Sequence, residues 1–223
     1  MKNQFNVGKI STMQAMLTML YVVCFIISNI LAAKQYIFIG DIALNCGTIT
    51  FPITYILSDI FSEVYGYKWS RLSWFTAFVL GIFAVICIEI SIVMPYPDFW
   101  ANQEAFATTL GNTPRMLFAS MLAFAAGDFL NDKVFRKMKE KHKEELKGFG
   151  LRAILSSLVG ETVDSLIFFP LAFWGILPVE SMVITGIALI LMKVGYECII
   201  FPVTKKFAKS LLKYEHNLNK GVA

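Results

Sequence analysis

Apolar residues dominate six stretches of this chain, approximately 13–33, 49–66, 71–95, 114–136, 151–175 and 179–204, with shorter polar segments between them. Each is close to the roughly 20 residues that a helix needs to cross a bilayer core. The pattern predicts an all-α, polytopic membrane protein with six transmembrane helices, formed as a single domain over residues 1–220. The first stretch follows a polar segment carrying Lys2 and Lys9 and lacks a small-residue cleavage pattern, so it reads as a retained helix and not a removable signal. The closing Gly221-Val222-Ala223 reads as a cloning remnant. Between the first two stretches, Tyr36 to Asn45 alternate around Gly40-Asp41, which hints at a short β-hairpin, although the same apolar character also fits a re-entrant segment.

Polar residues inside the apolar stretches recur at helical spacing. In the second, Pro52, Tyr55, Asp59, Ser62, Glu63 and Gly66 share one stripe, and Ile53, Ile56, Ile60 and Val64 lie away from it. In the fifth, Ser157, Glu161, Asp164, Ser165 and Phe168 align, while Ser156 and Gly160 are small enough to admit a neighbouring helix. The fourth carries Asp128, Asn131 and Asp132 next to a seam of Ala119, Ala123 and Gly127 suited to close packing. An ionised group in hydrocarbon is costly enough to mark a functional site by default. The bland reading, a bond between helices or an approach to cytoplasmic water, stays open, most of all for Glu63 near the end of its span.

Glu161 and Asp164, one turn apart near mid-span, cannot both ionise cheaply in a dry site, so at least one needs a cationic or hydrogen-bond-donating partner. Lys193 is available to them or to the second span, or else to Glu197 four residues further along its own helix. Asn29 offers a donor and an acceptor in the first span. The candidate ligand-site residues are therefore Asn29, Phe51, Tyr55, Asp59, Glu63, Asp128, Glu161, Asp164, Phe168 and Lys193, the aromatics serving as walls.

Composition agrees with the membrane reading: 57% of residues are hydrophobic and 16% charged, and the mean hydropathy is +0.62. That would make a poor soluble surface. The net charge of +4 is confined to particular segments and reads as a basic face toward lipid headgroups, not as a nucleic-acid site. Lys2, Lys9, Lys68, Arg71, the run from Lys133 to Arg152 and the lysines from Lys205 to Lys220 fall on one side, against Lys34 and Arg115 on the other. The positive-inside rule then puts both termini in the cytoplasm. The segment from Lys137 to Lys147 reads as a charged, solvated stretch without chemistry. Four scattered cysteines and two histidines, His142 and His216, form no metal-ligand or disulfide spacing. No P-loop occurs, and nothing calls for a cofactor or for catalysis.

The segment Thr50 to Gly66, together with Gly127-Asp128, Asn131-Asp132, Arg152, Ser156-Ser157, Gly160-Glu161, Asp164-Ser165 and Phe168-Phe169-Pro170, resembles the queuosine precursor transporter family, earlier labelled vitamin uptake proteins. The resemblance runs from the first helix through Pro202. It implies a six-helix transporter of the bacterial inner membrane that imports 7-cyano-7-deazaguanine or 7-aminomethyl-7-deazaguanine, and it admits a homodimer. It also implies a fold similar to the substrate-binding subunits of energy-coupling-factor transporters, working without their ATPase module. A carboxylate accepting the paired N–H groups of a deazaguanine edge, an amide such as Asn29 meeting its carbonyl, and an aromatic stacked on the ring would suit such a ligand. Three alternatives remain: a substrate-capture subunit for an ATPase module, a proton or cation carrier, and a membrane enzyme suggested faintly by Ala126-Gly-Asp128.

Overall fold

The computed structural model describes residues 10–39, 42–111, 114–140, 148–175 and 178–220. Helix α1 (Thr12–Leu31) starts at Ser11, whose hydroxyl accepts from the Gln14 N–H, the N-cap bond that satisfies an orphan donor. Strands β1 (Gln35–Ile39) and β2 (Ile42–Asn45) follow as an antiparallel pair with a register shift between Ile37 and Ile39. The alternation in sequence is thus realised as a hairpin, a small β element in a chain read as all-α. Its tip, Gly40-Asp41, lies outside the described residues.

A 3-10 turn (Cys46–Ile49) leads into α2 (Phe51–Ile60), which continues as a π-helical turn over Phe61–Tyr65. Pro52 sits in the first turn of α2, where its missing N–H would have no helical partner. Gly66, with φ of 86°, ends the π turn; a Cβ there would meet nothing within 4 Å, so the requirement is for the left-handed backbone itself. The remaining helices are α3 (Tyr67–Val93), α4 (Gln103–Gly111), α5 (Pro114–Glu140), α6 (Phe149–Phe173) and α7 (Val179–Lys220).

The pattern did not foresee α4, and it ended the last helix 16 residues too early. Ala208 and Leu211 are buried, so an inward-facing stripe carries α7 on to residue 220 despite its lysines. The segment from Lys137 is also corrected in part: α5 runs helically to Glu140, while residues 141–147, like 221–223, lie outside the described residues.

Among the described residues, four helices are long and apolar enough to cross a membrane: α1, α3, α6 and α7. The π-extended α2 is 15 residues long, and α5 is interrupted in its second half by Asp128, Asp132, Lys133 and Arg136. The chain is a membrane protein by this measure. Helix α3 shows it most clearly, because only Trp69, Ser70, Ser73, Ala77 and Gly81 of its 27 residues are buried. Its outer face, with Val79, Phe83, Ile86 and Ile90 exposed, suits lipid and not water.

Contacts fix the direction of each helix. At one end, Ser11 donates to Glu215 at 2.5 Å, Tyr65 donates to the same carboxylate at 2.8 Å, and Lys139 reaches the α2 terminus. At the other, Arg115 donates to the Leu171 and Trp174 carbonyls at 2.6 and 2.9 Å, satisfying the open end of α6. The helical segments α1, α2, α3, α5, α6 and α7 therefore alternate in direction, with the hairpin at the Arg115 end. An aromatic cluster of Tyr21, Phe25, Phe51, Tyr55, Phe61 and Phe124 fills the space among α1, α2 and α5.

Helices α5 and α6 touch through backbone. A Cβ on Gly127 would lie 2.8 Å from the Gly160 carbonyl oxygen, and one on Gly160 would lie 2.9 Å from that of Gly127. Small-residue contacts of this kind drive helix association where no hydrophobic effect is available. Gly127→Ala should lower the thermal unfolding midpoint of the detergent-purified protein, with overpacking costing about 1–3 kcal/mol. Gly195→Ala, whose Cβ meets nothing within 4 Å, should leave the midpoint unchanged or raise it.

Candidate functional site

The polar interior falls into three layers along the bundle. Nearest the hairpin is a cavity with about 470 Å³ of space not occupied by atoms, part of it open to the outside. Asn29, Phe51, Asp164, Phe168 and Lys193 line it, joined by Ser28, Asn45, Thr48, Ser120 and Ser165. Half of the ten candidate residues therefore meet around one space.

Lys193 is its electrostatic centre. The ammonium donates to Glu161 Oε2 at 2.5 Å and to Asp164 Oδ2 at 3.4 Å. It also sits 4.2 Å from the centroid of the Phe51 ring, where the ring quadrupole favours a cation. This answers the need of the two carboxylates for a positive partner. It also decides the destination of Lys193: its ion pairs reach across to α6, and Glu197 on its own helix is not among them. Asn29 bridges helices at the cavity wall, donating to the Phe25 carbonyl and accepting from Ser120 at 2.6 Å. One N–H of its amide remains in excess of these bonds.

Four further candidates lie behind the wall. Glu161 does not line the cavity but holds Lys193 from beneath. Tyr55 is not a wall either; it packs edge-on against Phe51 and Phe124 and fills the gap beside Gly127 and Gly160. In the middle layer, Asp59 accepts from Asn131 Nδ2 at 3.3 Å, Asp128 accepts from Ser58 at 2.9 Å, and Asp132 accepts from Ser62 and Ser70. Asp59 and Asp128 are thus buried but remote from the cavity lining.

The third layer, at the end opposite the hairpin, is built on Glu63. Its carboxylate is 3.0 Å from Arg152 Nη2 and 3.3 Å from Lys139 Nζ, and Lys139 also donates to the Ser62 and Glu63 carbonyls. The sequence reading leaves Glu63 nearest to water, counts Arg152 among the cytoplasmic-side charges, and includes Lys139 in a solvated stretch. In the structure Glu63 is 4% and Arg152 1% exposed, because the start of α6 and the end of α5 fold over the π turn. Lys139 accordingly has a structural partner inside a stretch expected to have none.

Apolar helices enclose a part-open cavity whose wall carries a lysine, a carboxylate and an amide, groups suited to a polar solute. Residues 45–206 match the family described as "Putative vitamin uptake transporter", and the chain belongs to that family. The description of that family is one of transport. A protein of Escherichia coli (strain K12) named "Queuosine precursor transporter" is 27% identical over 128 residues, covering 57% of this chain and 54% of that protein. The chain thus matches about half the length of this curated relative. No solved structure matches it.

The sequence reading missed the hairpin-side lining. Asn45 and Thr48 reach the cavity because Cys46 N–H bonds to the Lys34 carbonyl at 2.8 Å and folds the hairpin back under α1. Ser165 lay on the recognised stripe of the fifth span and was not taken up. Arg152→Met should destabilise the protein by about 3–5 kcal/mol, because it strands part of a buried charge network. In a double-mutant cycle followed by unfolding in detergent, Glu63→Met should recover part of that loss.

Proposed function

We propose that this transporter imports queuosine precursors, 7-cyano-7-deazaguanine or 7-aminomethyl-7-deazaguanine, across the bacterial inner membrane. On this reading it crosses the membrane six times, folds like the substrate-binding subunits of energy-coupling-factor transporters, and acts without an ATPase module. The observation that carries the substrate class is the pairing of Asp164 and Lys193 at one cavity wall, between Phe51 and Phe168. A deazaguanine edge presents a ring N–H and an exocyclic amine side by side, with a carbonyl next to them. Asp164 accepts the two N–H groups, Lys193 or the spare Asn29 N–H donates to the carbonyl, and an aromatic covers the ring. The name of the E. coli relative supports the same substrate. Access from alternate sides to a site between the helices completes the transport cycle.

Calorimetric titration of the purified protein with deazapurines, guanine and vitamins tests the substrate. Asp164→Asn, which replaces a pure acceptor by a half-donor group, should weaken deazaguanine binding by about 2–3 kcal/mol, or roughly 30-fold to 100-fold. Near-normal affinity in a folded Asp164→Asn variant removes the assignment. Orientation is tested separately, in a chain with its native cysteines replaced by serine. A cysteine introduced by Lys141→Cys should react with an impermeant thiol reagent only after cells are permeabilised. Labelling in intact cells would invert the topology.

A further inference from the structure

Four carboxyl groups lie beyond the Lys193 cluster: Asp59 on α2, Asp128 and Asp132 on α5, and Glu197 on α7. None is more than 6% exposed. Among the described residues none of the four takes part in an ion pair. Hydroxyl donors serve Asp132 through Ser62 and Ser70, leaving the others short of hydrogen. Asp59 Oδ2, Asp128 Oδ2, Glu197 Oε1 and the carbonyl oxygen of Asn131 are all buried without a hydrogen-bond partner. Buried donors without a partner stand near some of them, Tyr21 Oη and Arg71 Nη1 toward Asp128 and Asp132, and Ser157 Oγ toward Glu197. At the Asp59–Asn131 pair both orphan atoms are acceptors, so bringing them closer together satisfies neither.

The geometry between Asp59 and Asn131 is specific. Two planar groups share one hydrogen bond, Asn131 Nδ2 to Asp59 Oδ1 at 3.3 Å, and the orphan oxygen is the remaining corner of each. Asn131 is fully buried and is not itself ionisable. A single proton on Asp59 Oδ2 converts one of these orphan acceptors into a donor for the carbonyl oxygen of its hydrogen-bonded neighbour Asn131, and removes an isolated charge from a buried position. A metal ion would do the same only with several convergent ligands, and no group of three or more carboxylate, histidine or cysteine residues among the described residues is arranged to hold one.

We propose that Asp59, paired with Asn131 and neighboured by Asp128 and Glu197, is a proton-binding site of this transporter. Carboxyl groups of this kind serve as proton relays in membrane carriers, and a proton held here is a means of drawing on a pH gradient. The groups facing it are known from each side. Asp128 and Asp132 approach from α5 and Glu197 from α7. Arg71 of α3 and Tyr21 of α1 flank the Asp128–Asp132 end, and Glu161 of α6 adjoins Glu197. The proposal goes beyond the identity of the solute and does not depend on it.

The test therefore uses the protein without added solute. Dicyclohexylcarbodiimide, which attacks protonated carboxyls in apolar surroundings, should modify Asp59 in lipid-reconstituted protein, as located by peptide mass spectrometry. Modification should fall by roughly tenfold per pH unit once the site loses its proton, and sodium at constant pH should not protect it. The infrared carbonyl band of a protonated carboxyl should be present at pH 7 and lost in a folded Asp59→Asn variant. Absence of both signals overturns the proposal. So does sodium protection, which would mark a metal-cation site, or a carbonyl band unchanged in Asp59→Asn, which would place the proton elsewhere.

Discussion

The ammonium of Lys193 ties α7 to α6 because two carboxylates share it where little of any of the three groups is exposed. An ion moved from water into a medium of low dielectric loses solvation worth several kcal/mol even after the protein relaxes. The positions of α6 and α7 are therefore coupled: shifting either helix away from Lys193 exposes Glu161 or Asp164 to the full penalty. Such a pair is weak evidence of net stability, since an apolar replacement is often as stable. What it supplies is a fixed charge at the wall of a space that Phe51 and Phe168 also line.

The two ends of the interior are finished differently. At the hairpin end, one cation serves two anions, and the surrounding hydroxyls of Ser28, Ser120 and Ser165 and amides of Asn29 and Asn45 are small and neutral. At the other end, two cations, Arg152 and Lys139, serve one anion, Glu63, and the π turn places its carbonyls where Lys139 also donates to them.

Most of the architecture was legible because lipid imposes a simple rule, that apolar runs of fixed length become helices. The stripes were legible for the same reason, since Ser157, Glu161, Asp164 and Ser165 could only face inward. What each inward residue meets was not legible. Lys193 had three possible destinations, and the packing of α7 on α6 selects one. Arg152 looked like a loop charge because burial depends on how the loop from α5 to α6 returns, which periodicity does not encode. Asn45 and Thr48 reach the cavity through a hairpin that folds back on itself, so no helical repeat connects them to Asn29 or Asp164. Tyr55 shared the stripe of Asp59 and was expected at a wall, but the close approach at Gly127 and Gly160 leaves a slot that its ring fills.

That approach also restricts which parts of the molecule are able to shift. At Gly127 and Gly160 the two backbones approach each other, with Tyr55 and the Cβ atoms of Asn131 and Asp164 packed around the crossing. Shear between packed helices works by small side-chain rearrangements, and a crossing made largely of backbone offers few of them. This tight crossing couples α5, with Asp128, to α6, with Asp164. On the proposed reading as a transporter, rearrangement is then easier at the seams that α1, α2 and α7 make with this pair.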